Sequence, residues 1–106
     1  LIYNVLMEDC VFCKIVKKEI DTEIEKETAN LIVFKDLHPS APFHWLIVPK
    51  EHLSDVSMTT GELFEEIKDT AILIGEEQKL DGFQLRVNYG KYLEMPHMHF
   101  HILAKF

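Results

Sequence analysis

The segment His97-Met-His-Phe-His-Ile-Leu103 constrains the fold more than any other part of the chain. Side chains alternate between faces along an extended strand, so His97, His99 and His101 share one face while Met98, Phe100 and Ile102 share the other. Such a strand needs a cover over its apolar face and an opening over its polar one. At a rise near 3.3 Å per residue, same-face neighbours stand about 6.6 Å apart and the outer pair about 13 Å apart. One metal ion does not span that row, so the three imidazoles divide between jobs.

The cover is legible further upstream. Leu63, Phe64, Ile67, Ala71 and Ile74 recur at helical spacing, Thr59-Thr-Gly-Glu62 has the form of a capping box, and Asp81-Gly82 closes the run, which predicts one long helix over roughly 59–80. Ile72 and Leu73 fall outside the main apolar stripe and fit either a wider buried face or a dimer contact. Leu31–Phe34 and Phe43–Val48 are β-branched and aromatic runs of strand length, separated by a turn-forming Asp36–Pro42 segment. Phe83–Asn88 alternates, with Phe83, Leu85 and Val87 on its apolar face. Lys14–Glu19 fits a short N-terminal helix and Thr22–Lys26 an edge strand. Strands around one long helix with short connections predict an α+β fold on a mainly antiparallel sheet.

With 106 residues, 47% hydrophobic and 27% charged, the chain has the size and composition of one globular domain. Its net charge of −7 argues against nucleic-acid and membrane-surface binding. No apolar run approaches the ~20 residues of a bilayer span, and Leu1–Leu6 lacks the pattern of a secretion signal, so a cytoplasmic location is expected. Because Met7 stands just before the cysteine pair, residues 1–6 read as an upstream or vector-derived extension.

Cys10-Val-Phe-Cys13 admits a redox and a metal reading. No convincing strand precedes Cys10, which disfavours the thioredoxin arrangement. Two thiolates make half of a tetrahedral zinc site, with His52 and one end of the histidine row as candidates for the rest; two small buried side chains without metal are the alternative. Taken singly, His44 reads as a core histidine bonded to backbone, Asp36 as a turn former and Asn88 as a turn cap at the end of its strand.

Together these residues resemble a known pattern. His97-Met-His-Phe-His-Ile-Leu103 is similar to the signature of the histidine triad (HIT) superfamily of nucleotide hydrolases and transferases. Cys10-Val-Phe-Cys-Lys-Ile-Val-Lys-Lys-Glu-Ile20 resembles the N-terminal signature of its Hint branch in the zinc-bearing bacterial form, and Val33–His52 resembles its second block, so the likeness runs from Cys10 to Leu103. It implies a single HIT domain over 1–106: about five antiparallel strands, one long helix and a short N-terminal helix, forming a homodimer. It implies an enzyme whose substrate partner is a purine nucleotide, most simply a nucleoside phosphoramidase. His99 would attack the α-phosphorus to give a covalent nucleotidyl-histidine, with His101 and His44 orienting it. His97 would hold strand geometry and complete a structural zinc site with Cys10, Cys13 and His52. Asp36 would bind the ribose, Phe12, Ile20, Phe34 and Leu37 the purine, and Asn88 the phosphate or leaving group.

Departures from the pattern leave other readings open. The segment Asn88–Pro96 is shorter than in relatives, and Leu93 and Glu94 stand near positions that elsewhere contact phosphate. A dinucleoside polyphosphate hydrolase, or a zinc-stabilised nucleotide-binding module with little turnover, are the alternatives.

Overall fold

The computed structural model describes residues 9–105; the expected extension at 1–6 lies outside them. Helix α1 (Val11–Val16) is followed by strands β1 (Ile24–Glu27), β2 (Leu31–Lys35) and β3 (Phe43–Pro49), helix α2 (Gly61–Glu77), and strands β4 (Gln84–Val87) and β5 (Phe100–Ala104). Single 3-10 turns occupy Val56–Met58 and Gly90–Tyr92. The strands form one antiparallel sheet in the order β1-β2-β3-β5-β4.

Alternation along β2, β3 and β5 divides the apolar residues between two faces. Leu31, Val33, Trp45, Ile47, Phe100 and Ile102 face α2 and pack with Ile67, Ala71 and Ile74. Ile32, Phe34, Leu46 and Val48 face the other way and pack with Cys10, Phe12, Cys13 and Ile15 of the α1 region. Both faces of the central strands are therefore covered, and β3 is buried along its whole length. Ile102 is fully buried in the α2 layer, so Ile102→Ala should cost about 2–5 kcal/mol of stability in urea unfolding, through lost burial and the cavity left behind.

Several boundaries differ from the sequence expectation. The N-cap of α2 is Thr60, whose Oγ1 accepts from the Leu63 amide at 3.1 Å; the capping box read at Thr59 is off by one, and Glu62 falls within the first turn. The helix stops before Asp81-Gly82 because Lys79 adopts a left-handed φ of 56° and the Leu80 amide returns to the Gly75 carbonyl at 2.9 Å. Phe64, Ile72 and Leu73 stand 45%, 48% and 43% exposed, so the buried stripe is narrower than periodicity suggested and does not widen to take in Ile72 and Leu73. Leu85 is 37% exposed on the edge strand β4, although Phe83 and Val87 do pack against the core. Helix α1 begins directly after Cys10, earlier than the predicted Lys14. No helix among the described residues is long and apolar enough to cross a membrane.

Candidate active site and metal centre

Only His101 of the histidine row lies within the regular strand. Pro96 has no amide proton, His97 N–H donates to the Met95 carbonyl (2.8 Å), and Met98 N–H donates to Leu53 O (2.6 Å), so the backbone is tied to the preceding loops until Phe100 joins the ladder. The alternation nonetheless carries through: Met98, Phe100 and Ile102 enter the α2-side core, while the rings of His99 and His101 face one another at 4.9 Å between centroids.

His97 turns away toward the cysteine pair. Its Nδ1 lies 3.3 Å from Cys10 Sγ, 3.5 Å from Cys13 Sγ and 3.2 Å from His52 Nδ1, and Cys13 Sγ lies 3.1 Å from His52 Nδ1. All four donor atoms fall within 4.8 Å of one another. A tetrahedral ion with zinc-like bond lengths sets donor-to-donor edges of about 3.3–3.8 Å, close to these values.

The outer hydrogen bonds fix the chemistry of the set. His97 Nε2–H donates to Pro49 O at 2.8 Å, and His52 bonds the Pro96 carbonyl. His97 Nε2 therefore holds that ring's proton, and its Nδ1 lone pair points inward at the cysteines and at His52 Nδ1. Thiol S–H groups can donate to such lone pairs, and a cation among the four donors would use them as ligands instead. Burial, reinforced by Cys10, pushes the Cys13 thiol up to about 11, and burial holds His97 down near 4 and His52 below its ordinary value. The neutral imidazoles suit ligation, and a bound cation would favour the thiolates. These residues form a candidate metal centre.

The remaining histidines make a second constellation. The Ser40 amide donates to His44 Nδ1 at 2.9 Å, which assigns the His44 proton to Nε2. That Nε2–H lies 2.8 Å from His101 Nδ1 and 3.3 Å from Asp36 Oδ2. His101 Nδ1 is thus an acceptor, its proton resides on Nε2, and Nε2 is buried with no partner among the described residues. His99 Nδ1–H donates to His97 O at 2.8 Å, leaving its Nε2 as a bare lone pair. A free base therefore adjoins an unsatisfied donor on one side of the sheet.

Burial keeps His99 and His101 neutral near pH 7. It places His99 below the ordinary histidine range and His101 near 4, with His99 and His44 adding to the effect on His101. For His101 the unfolded chain binds the proton more readily, so stability falls as pH drops from about 6.5 toward 4. The gap between 6.5 and about 4 corresponds to on the order of 3 kcal/mol. Urea unfolding at pH 7.5 and pH 4.5 should show this loss, and His101→Gln should reduce it by the share of His101 while leaving that of His97 and His99.

Phe12 links the two constellations. It sits between the cysteines on α1 and meets His97 at 5.7 Å, His99 at 5.0 Å and Phe34 at 5.7 Å, in each case edge-on. Ile20 packs on the same cluster, whereas Leu37 stands 87% exposed in the loop after β2. Asp36 accepts the His38 amide at 2.9 Å, the turn-forming role read from sequence, and also faces His44. Asn88 follows β4, half-buried. The Ser40 amide and the Pro49 and Pro96 carbonyls were missed because backbone partners leave no mark in side-chain identity.

Comparison with known proteins identifies the family to which this fold belongs. The family model described as "Scavenger mRNA decapping enzyme C-term binding" matches residues 9–106. The chain is 34% identical to Protein HitA of Neisseria gonorrhoeae, over 92% of this chain and 97% of that protein. It is 35% identical to adenosine 5'-monophosphoramidase HNT1 of Saccharomyces cerevisiae, over 91% of this chain and 62% of the yeast protein. Among solved structures, a HIT family hydrolase from Legionella pneumophila superposes with a TM-score of 0.85 at 32% identity, covering 91% of this chain and 92% of that one. A zinc-bound histidine triad protein from Mycobacterium smegmatis does so with a TM-score of 0.84 at 26% identity, covering 93% and 76%. On a five-stranded antiparallel sheet with this histidine array, the chain belongs to the histidine triad family and is an enzyme of its nucleotide-processing hydrolases.

Proposed function

We propose that this enzyme hydrolyses purine nucleoside phosphoramidates at the α-phosphorus, with His99 as nucleophile. The observation that carries the reading is the proton arrangement: bare Nε2 on His99 beside the buried Nε2–H of His101, which has no partner among the described residues. Attack by His99 Nε2 forms an N–P bond as the bond from phosphorus to the amine breaks. The amine leaves with that electron pair and a proton from water, and the hydroxide equivalent cleaves the adduct to return neutral His99. His101 Nε2–H would donate to a phosphoryl oxygen or to the leaving nitrogen, a preorganised donor placed where charge develops. His44 would hold His101 in the required tautomer. Asp36 would take the ribose hydroxyls and Asn88 the phosphate or leaving group, with Phe12, Ile20 and Phe34 against the base and Leu37 at its edge.

Cys10, Cys13, His52 and His97 would hold a zinc ion, supplying a closed structural cross-link rather than Lewis-acid chemistry. Keeping both thiols reduced suits a reducing compartment, and we place the protein in the cytoplasm. The exposed Ile72 and Leu73 support a homodimer, which sedimentation across a concentration series tests.

The test of the activity is direct. Adenosine 5'-phosphoramidate should yield AMP with kcat/KM at least tenfold above that for a diadenosine polyphosphate. Binding of AMP with turnover of neither compound overturns the reading.

A further inference from the structure

Arg86 is the only arginine in the chain. It lies on β4 directly opposite His101 on β5, and cross-strand partners in an antiparallel pair project from the same face. The side chain therefore stands on the catalytic face, although the chain as a whole is acidic at −7. Lysines and histidines make all the ion pairs seen among the described residues, and Arg86 has no carboxylate partner there.

A groove of about 540 Å³ opens beside it, with Ser40, Gln84, Leu103, Lys105 and Asp81 among its other walls. Leu103 shares a sheet face with His101, and Ser40 supplies the amide that fixes His44, so the groove lies along β4 and β5 next to the histidine pair, with Arg86 between them. The base-side residues Phe12, Ile20 and Phe34 belong to the cluster on the α1 side of the sheet. None of them lines this groove. Two cations face one carboxylate within it. The positive charge of Arg86 is felt at His101, whereas Glu94 acts on His99.

We propose that Arg86 binds an anionic group, a carboxylate or a phosphate, on the leaving half of the substrate, within the groove beside His101. The guanidinium is the side chain best matched to such planar or tetrahedral oxyanions, because its forked N–H groups give paired charge-assisted hydrogen bonds. The inference rests on attack at the α-phosphorus and extends it to the chemistry of the departing amine: an amino acid joined through its nitrogen fits, and an uncharged amine fits less well. A leaving group that is itself a polyphosphate presents the same oxyanion.

Three substrates separate the possibilities: the adenosine 5'-phosphoramidate of alanine, that of alaninamide, and diadenosine tetraphosphate. The wild-type enzyme should favour alanine over alaninamide by about tenfold or more in kcat/KM. Arg86→Gln should bring that ratio close to one, and Arg86→Lys should restore part of it. A ratio near one in the wild type, or a ratio that Arg86→Gln leaves unchanged, overturns the assignment. The second of these is also what a purely structural role would give, since it would slow both compounds alike. If only the tetraphosphate is cleaved, the phosphoramidate reading falls, while the role of Arg86 stands if Arg86→Gln lowers that turnover tenfold and falls if it does not. Turnover of none of the three overturns both. Thermal melts of the variants verify that each remains folded.

Discussion

His99→Ala should lower turnover of adenosine 5'-phosphoramidate by about 10³-fold or more while leaving AMP affinity within a few-fold of wild type. The asymmetry follows from the geometry. The lone pair on His99 Nε2 acts only in forming the adduct, and Phe12, Phe34 and Ile20, which would grip the base, sit in an apolar cluster with Ile15, Ile32 and Leu46 that remains when the His99 ring's contact with Phe12 is lost. Rapid acid quenching with intact mass analysis should place a nucleotidyl group on wild-type protein, and peptide mapping should locate it on His99. An adduct on another side chain, or substantial turnover by His99→Ala, would remove His99 as the nucleophile. His101→Gln should retain partial activity, because the tautomer of His99 is held by the His97 carbonyl rather than by His101.

Stripping the metal should be nearly as damaging to the fold as losing His99 is to catalysis. Protein purified without added zinc should contain about one zinc ion per chain, and Cys13→Ser or a strong chelator should lower the melting temperature by more than about 10 °C. A closed four-ligand site contributes several kcal/mol to folding, and each kcal/mol moves Tm by about 4–8 °C in a domain near this size. A bound ion would join α1 to the loop after β3 and the segment before β5, adding to the Met98 N–H to Leu53 O and His97 Nε2–H to Pro49 O hydrogen bonds and to the apolar packing that connect them. Phe12 rides on α1 between the cysteines and touches His99, so metal loss should also raise KM for the nucleotide. A metal content well below one per chain, with a melt indifferent to chelator, would instead leave the cysteines as ordinary buried side chains.

Much of the architecture was readable because it rests on local period. The two-residue alternation at Met98, Phe100 and Ile102 put those side chains under α2 even though the regular strand starts only at Phe100. The helical repeat of Ile67, Ala71 and Ile74 identified the covering helix. Period says nothing, however, about how wide a face is covered, and Phe64, Ile72 and Leu73 stayed exposed because α2 meets the sheet along a narrower line than the run of apolar residues. The ends of α2 were misjudged because two threonines compete for one cap and because Lys79, with no glycine signal, takes the left-handed turn.

For the site, residue type and order along the chain determined which groups were candidates: two cysteines spaced for a shared ion, three histidines in register, one carboxylate before a proline-bounded loop. Tertiary structure alone decided their partners. His97 and His99 are two residues apart, yet one ring joins Cys10, Cys13 and His52 while the other meets Phe12 and His101. Which nitrogen of His44, His97 and His99 carries the proton depends on the Ser40 amide and the carbonyls of Pro49 and His97. Every residue offers those backbone groups, so composition cannot mark the ones that matter; only the path of the folded chain brings a particular amide or carbonyl within reach of a particular ring.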